Sequence, residues 1–102
     1  MKYQLVLQWL ASSTMDYDMM ISVEDSLIEG LTVMHEVDGH DVGQSEINIF
    51  IRTDDPKAAF QESSTILDKQ ECWSHVRAAY REVTRSEYHV LWPEGLSVFS
   101  VS

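Results

Sequence analysis

The chemistry-bearing residues of this chain are its four histidines, one cysteine and a large excess of carboxylates. The densest group is His35, Glu36, Asp38, His40 and Asp41. Imidazole nitrogens and carboxylate oxygens are ordinary ligands of divalent ions. On a continuous strand residues 36, 38 and 40 share a face and His35 points to the other, so the spacing splits the set. Gly39 and Gly43 mark the segment as a turn, and acids beside a histidine are what a solvated turn carries. We read no metal site and no cofactor here. Gly39-x-x-x-Gly43 also lacks the Lys and Ser/Thr of a phosphate loop, and it leads into a strand rather than a helix. Cys72 and His75 would make a nucleophile and base only if both faced one pocket. With Trp73 between them, Cys72 reads better as a small buried hydrophobe. No Ser-His-Asp set stands out, so no catalytic residue is assigned.

Two other patterns concern binding. Tyr3, Trp9, Tyr80, Tyr88 and Trp92 fall on segments that read as strands. Aromatics left on an uncovered sheet face would mark an interaction surface, because monomers rarely expose large apolar patches. Arg77, Arg81 and Arg85 recur every four residues, and on a strand we read them as a solvated face. The net charge is −10, and it is unevenly spread. Residues 3 to 51 hold no Lys or Arg but carry Asp16, Asp18, Glu24, Asp25, Glu29, Glu36, Asp38, Asp41 and Glu46. Such a field repels phosphate backbones and attracts basic proteins, so nucleic acid is not an expected partner.

The elements that must position these residues follow from periodicity. Residues 2–10 read as a strand with Tyr3, Leu5, Leu7 and Trp9 on a fully apolar face. Ala11-Ser12-Ser13-Thr14 is a polar connector. A helix follows over 16–29, with Asp16 or Asp18 as its cap and Gly30 as a left-handed terminator. Residues 31–38 read as a strand, 38–44 as a loop, and 46–53 as a strand with Ile47, Ile49 and Ile51 on one face. Asp54-Asp55-Pro56 starts a second helix, since Pro at the first helical position has no amide hydrogen to waste. Strands follow over 76–83 and 88–92, joined by 84–87. The tail residues Leu96, Val98, Phe99 and Val101 are too apolar for free solvent, so the tail should dock on the sheet or on a second copy.

A 102-residue chain is the size of one domain. Nothing in it approaches the roughly 18–20 apolar residues that span a bilayer, and Gln4 and Gln8 interrupt the N-terminal run, so neither a signal peptide nor a membrane span is expected. One cysteine suits a cytoplasmic location. Over residues 2–92 the order of elements resembles the ferredoxin-like sandwich: an antiparallel sheet, two helices on one face, and a fifth strand added for the order 5-4-1-3-2. The Ile47-Asn48-Ile49-Phe50-Ile51 strand running into Thr53-Asp54-Asp55-Pro56, and the Tyr88-His89-Val90-Leu91-Trp92-Pro93 ending, resemble a group of small bacterial domains with no activity attached. The functional expectation is a non-catalytic interaction or regulatory module, such as an immunity-type protein binding a basic partner. Asp18, Glu24, Asp25 and Glu29 would steer that partner, and Trp9, Tyr80 and Trp92 would anchor it on the open sheet face. The competing expectation is a small ligand-binding or enzymatic domain, dimeric, with a cleft on that face.

Overall fold

The computed structural model describes residues 1–10 and 15–101, so the connector expected at 11–14 lies outside the described residues. The chain is α+β, with a five-stranded antiparallel sheet and two helices. The elements are β1 (Tyr3–Leu10), α1 (Tyr17–Gly30), β2 (His35–Val42), β3 (Glu46–Thr53), α2 (Pro56–Leu67), a 3-10 turn (Glu71–His75), β4 (Arg77–Glu82) and β5 (His89–Trp92). Neighbouring strands run in the order β2-β3-β1-β4-β5, and every pair is antiparallel.

Both helices start where side-chain chemistry starts them. Asp16 accepts a hydrogen bond from the Met19 amide, and Asp55 accepts one from the Ala58 amide with Pro56 behind it. Each cap satisfies an amide that the helix itself cannot, which is worth about 1 kcal/mol. Met20, Val23 and Leu27 of α1, with Ala59 and Leu67 of α2, bury against Leu5, Leu7 and Trp9 of β1 and Ile47, Ile49 and Ile51 of β3. Gly30 is the last residue of α1 and not the left-handed terminator expected, since the positive-φ residues are Gly39 and Gly95. What needs a glycine at 30 is the neighbouring helix: an added Cβ would sit 2.8 Å from Ile66 Cδ1.

The opposite side of the sheet holds a second, smaller cluster. Val6 and Ala79 are buried there beneath Phe99, with Phe50, Tyr88, Val90, Leu96 and Val101 packed around them. The tail therefore docks on the sheet of its own chain. The Gln8 amide nitrogen donates to the Ser100 carbonyl at 2.9 Å, which fixes the tail's height on the strands. Arg77 is not merely solvated: its guanidinium lies 5.6 Å from the Phe99 ring centre. Arg81 donates to Gln4 Oε1 and to the carbonyls of Glu82, Val83 and Arg85, and so holds the turn after β4.

β2 lies further along the chain than the apolar pattern implied. Residues 31–34 form the connector, and β2 runs on past the bulge so that residues 40–42 pair with β3. Val33 and Met34 are exposed, and it is the full length of β3 that recruits β2 up to Val42. The ladder slips between Val37 and His40, where three steps on β2 match two on β3. Gly39, at φ 108°, sits in this bulge, a backbone conformation that costs glycine little.

Candidate functional site

The bulge decides where the histidines of β2 point. With one residue inserted, His35 and His40 both reach the helix side, although their spacing alone would set them on opposite faces. Each then meets a different carboxylate. His40 Nδ1 lies 3.0 Å from Glu24 of α1. His35 Nε2 lies 3.0 Å from Glu62 of α2, and its Nδ1 lies 2.8 Å from the Thr53 hydroxyl. Asp38 is drawn away to Arg52 on the other face. The dense His/acid segment is thus divided among three partners, and among the described residues no group of three or more His, Cys, Asp or Glu is placed to hold a metal ion.

Hydroxyl, imidazole and carboxylate in line at Thr53, His35 and Glu62 are the ingredients of an activated nucleophile. Access is what they lack. The His35 side chain is 1% exposed, and Thr53 is fully buried, its hydroxyl also accepting from the Asp55 amide. Glu62 further accepts from the Thr32 amide and hydroxyl. The Thr32 amide does most to hold the Glu62 carboxyl below its ordinary range; partial burial works against that shift, and the His35 ring adds to it. The node ties β2, β3, α2 and the connector after α1 together. Cys72 is equally unsuited to attack: it is buried, burial pushes its thiol up, and His75 is exposed.

The residues expected to bind a partner separate into two groups. Asp18, Asp25 and Glu29 are exposed on α1 and form no ion pair among the described residues. Glu24 is committed to His40. Trp9 and Tyr80 are not on the open face. The register sets Leu5 opposite Tyr80 and Leu7 opposite Ala78, so these side chains share the helix side with Trp9. Trp9 is fully buried there, its indole N–H donating to the Cys72 carbonyl at 2.9 Å. Tyr80 is half-buried, edge-on to Tyr3 and against His89.

Trp92 is different: it is 46% exposed. A second bulge, at the β4–β5 pairing, sets Ala78 opposite Trp92 and Ala79 opposite Val90, so that Leu91 is the inserted residue. Val90 packs under the tail, Leu91 packs into the helix-side core, and Trp92 also turns to the helix side. There it joins Phe60 of α2 and Trp73 of the 3-10 turn in a cleft of about 230 Å³ lined also by Ser64 and Ser74. Phe60 and Trp73 are stacked, with ring centres 5.7 Å apart. The sequence pattern missed Phe60 and Trp73 as site residues because each reads as an ordinary core position.

Compared with known proteins, the chain matches no family model, no curated protein and no solved structure. Its surfaces must therefore speak for its function. Two of them stand out: Asp18, Asp25 and Glu29 on α1, which form no ion pair among the described residues, and the aromatic cleft edged by half-exposed Trp92. No helix is long and apolar enough to cross a membrane.

Proposed function

We propose that the chain is a non-catalytic protein-interaction module that binds a basic partner, in its concrete form an immunity-type or regulatory protein. Its frame is the ferredoxin-like βαββαβ sandwich with β5 added outside β4. That assignment is supported by two β-α-β passages whose strands interleave with β4 and β3 flanking β1. The functional reading rests on one observation: Asp18, Asp25 and Glu29 stand exposed and uncompensated on α1, in a chain of net charge −10. On the β2 edge Glu36 and Asp41 are also exposed, on the sheet side away from α1. Charges at such a rim act mainly by steering encounter, so they set the association rate more than the lifetime of a complex. We place the partner on α1 rather than on the sheet face, because the chain's own tail packs over Val6 and Ala79 there. A homodimer through that face would have to displace the tail.

The test is a triple reversal, Asp18→Lys, Asp25→Lys and Glu29→Lys, on immobilised protein exposed to a cell lysate. The wild-type chain captures basic proteins, identified by mass spectrometry, and the reversed chain loses them. Equal capture by both would refute the reading. The alternative, a small ligand-binding or enzymatic domain, draws on the Thr53–His35–Glu62 node and the hollow of about 420 Å³ beside it. It requires His35 to be reached by a ligand. His35 ring signals that shift with added small molecules would favour that alternative.

A further inference from the structure

Among the described residues, three of the four most exposed large apolar side chains fall at one corner, where α1 passes into β2. Val33 is 94% exposed, Met34 66% and Ile28 60%. Ile28 and Val33 line one hollow there. Monomers seldom gather such side chains on their surface without a use for them. The patch continues along α1. Tyr17, Ile21, Glu24 and Ile28 recur at helical spacing and share the flank toward β2, where Tyr17 lies edge-on to His40 and Glu24 pairs with it. Tyr17 is exposed and Ile21 half-buried. The next row outward is set one residue on: Asp18, Ser22, Asp25 and Glu29, all exposed. An apolar row and an acidic row therefore run side by side along the helix for about 18 Å.

The two rows together select the occupant. Residues 3–51 bring no Lys or Arg to this surface. Lys2 lies two strands away at the start of β1, and Arg52 is held by Asp38 on the other face of the sheet. Lys57 shares the Phe60–Ser64 flank of α2, not the flank of Glu62 and Ile66 that meets α1. Lys69 continues that second flank, but Thr32 meets Glu62 and Gly30 meets Ile66, so α2 leads away from Val33 and Met34 as it nears Lys69. A second copy docked here about a two-fold axis would set its own Asp18, Asp25 and Glu29 against these acids, a like-charge contact. A partner with cations beside apolar side chains satisfies both rows. Because the rows repeat at the helical period, a helix laid alongside presents its own rows in step with them. We propose that this flank receives a basic amphipathic helix of the partner, its apolar side chains on Ile28, Val33 and Met34 and its lysines or arginines over Asp18, Asp25 and Glu29. The proposal rests on the reading of a basic partner and names the element by which such a partner would bind.

The experiment uses the intact chain and a Leu/Lys peptide of about 14 residues, the length of α1, with its leucines at helical spacing. A shuffled peptide of the same composition keeps every lysine and loses the apolar face. Methyl resonances are followed by NMR, with buried Leu5 and Leu7 as internal references. The patterned peptide shifts the Ile28, Val33 and Met34 methyl signals saturably, and binds more tightly than the shuffled one. Ile28→Ser combined with Val33→Ser changes two exposed side chains, leaves the Leu5 and Leu7 signals in place, and weakens the patterned peptide by about tenfold. Equal binding of the two peptides, binding of neither, or shifts that miss these three methyl groups overturns the proposal. So do shifts of the same groups with protein concentration alone, because a second copy then covers the flank. The two peptides carry the same charge, so an acidic face that attracts basic proteins without this docking shows as equal binding by the wild-type chain, and the acidic-face reading survives. If Asp18→Lys, Asp25→Lys and Glu29→Lys together leave both affinities unchanged, that reading falls and the proposal falls with it.

Discussion

His35 illustrates how a residue suited to catalysis becomes a fastener once all of its atoms are engaged. Its ring bridges Thr53 and Glu62 with almost no exposure, so His35→Ala leaves the buried Thr53 hydroxyl with only the Asp55 amide and opens a void. We expect that variant to lose about 2–3 kcal/mol of stability, read from the urea midpoint. Glu62 adds a pH dependence of known sign. Its folded value lies below its ordinary value of 4.5, so the unfolded chain binds more protons between the two. The stabilisation is fully present above the ordinary value and is lost as pH falls through the lowered one. Glu62→Gln should flatten that part of the acid limb of a denaturation series, and an unchanged limb would show the carboxylate to be uninvolved. At this scale the sequence was only partly legible. The spacing of His35, Glu36, Asp38, His40 and Asp41 set His35 and His40 on opposite faces, whereas an inserted residue in β2 brings both to the helix side. Glu62, the true partner of His35, is remote in sequence and carried no signal.

The elements were more readable than their edges. Alternating Ile47, Ile49 and Ile51, and the Asp55-Pro56 start of α2, lie where periodicity and capping set them. β2 was misplaced because its own residues are mostly polar and only pairing with β3 holds them. Trp9 was assigned to the open face, although the fully apolar side of β1 is the one that helices cover. Two predictions belong here. Phe99→Ala uncovers Val6 and Ala79, and should cost about 3 kcal/mol in the urea midpoint. Gly30→Leu drives a side chain into Ile66 where α1 meets α2, and should cost about 1–3 kcal/mol, with Gly30→Ala much milder because the tip of Ile66 can turn aside.

For the molecule as a whole, seventeen acids against seven bases make the folded state self-repelling, and the repulsion is concentrated in α1 and β2. Added sodium chloride should therefore raise the melting temperature between roughly 10 and 150 mM, as the screening length shortens from about 30 to 8 Å. A melting temperature that falls with salt would mean that attractive pairs outweigh the repulsion. Four ion pairs are present among the described residues, and the two involving arginine are exposed, so each contributes at most about 1 kcal/mol. The placement of free surfaces on α1 and at the β5 edge depends on the tail closing the other side of its own sheet. An isotope-filtered NOE experiment on a mixture of labelled and unlabelled chains tests this most directly. Contacts from the Phe99 ring to the Val6 and Ala79 methyl groups should appear only within one chain and persist on dilution. Filtered contacts between labelled and unlabelled chains, or none at all, would contradict the account.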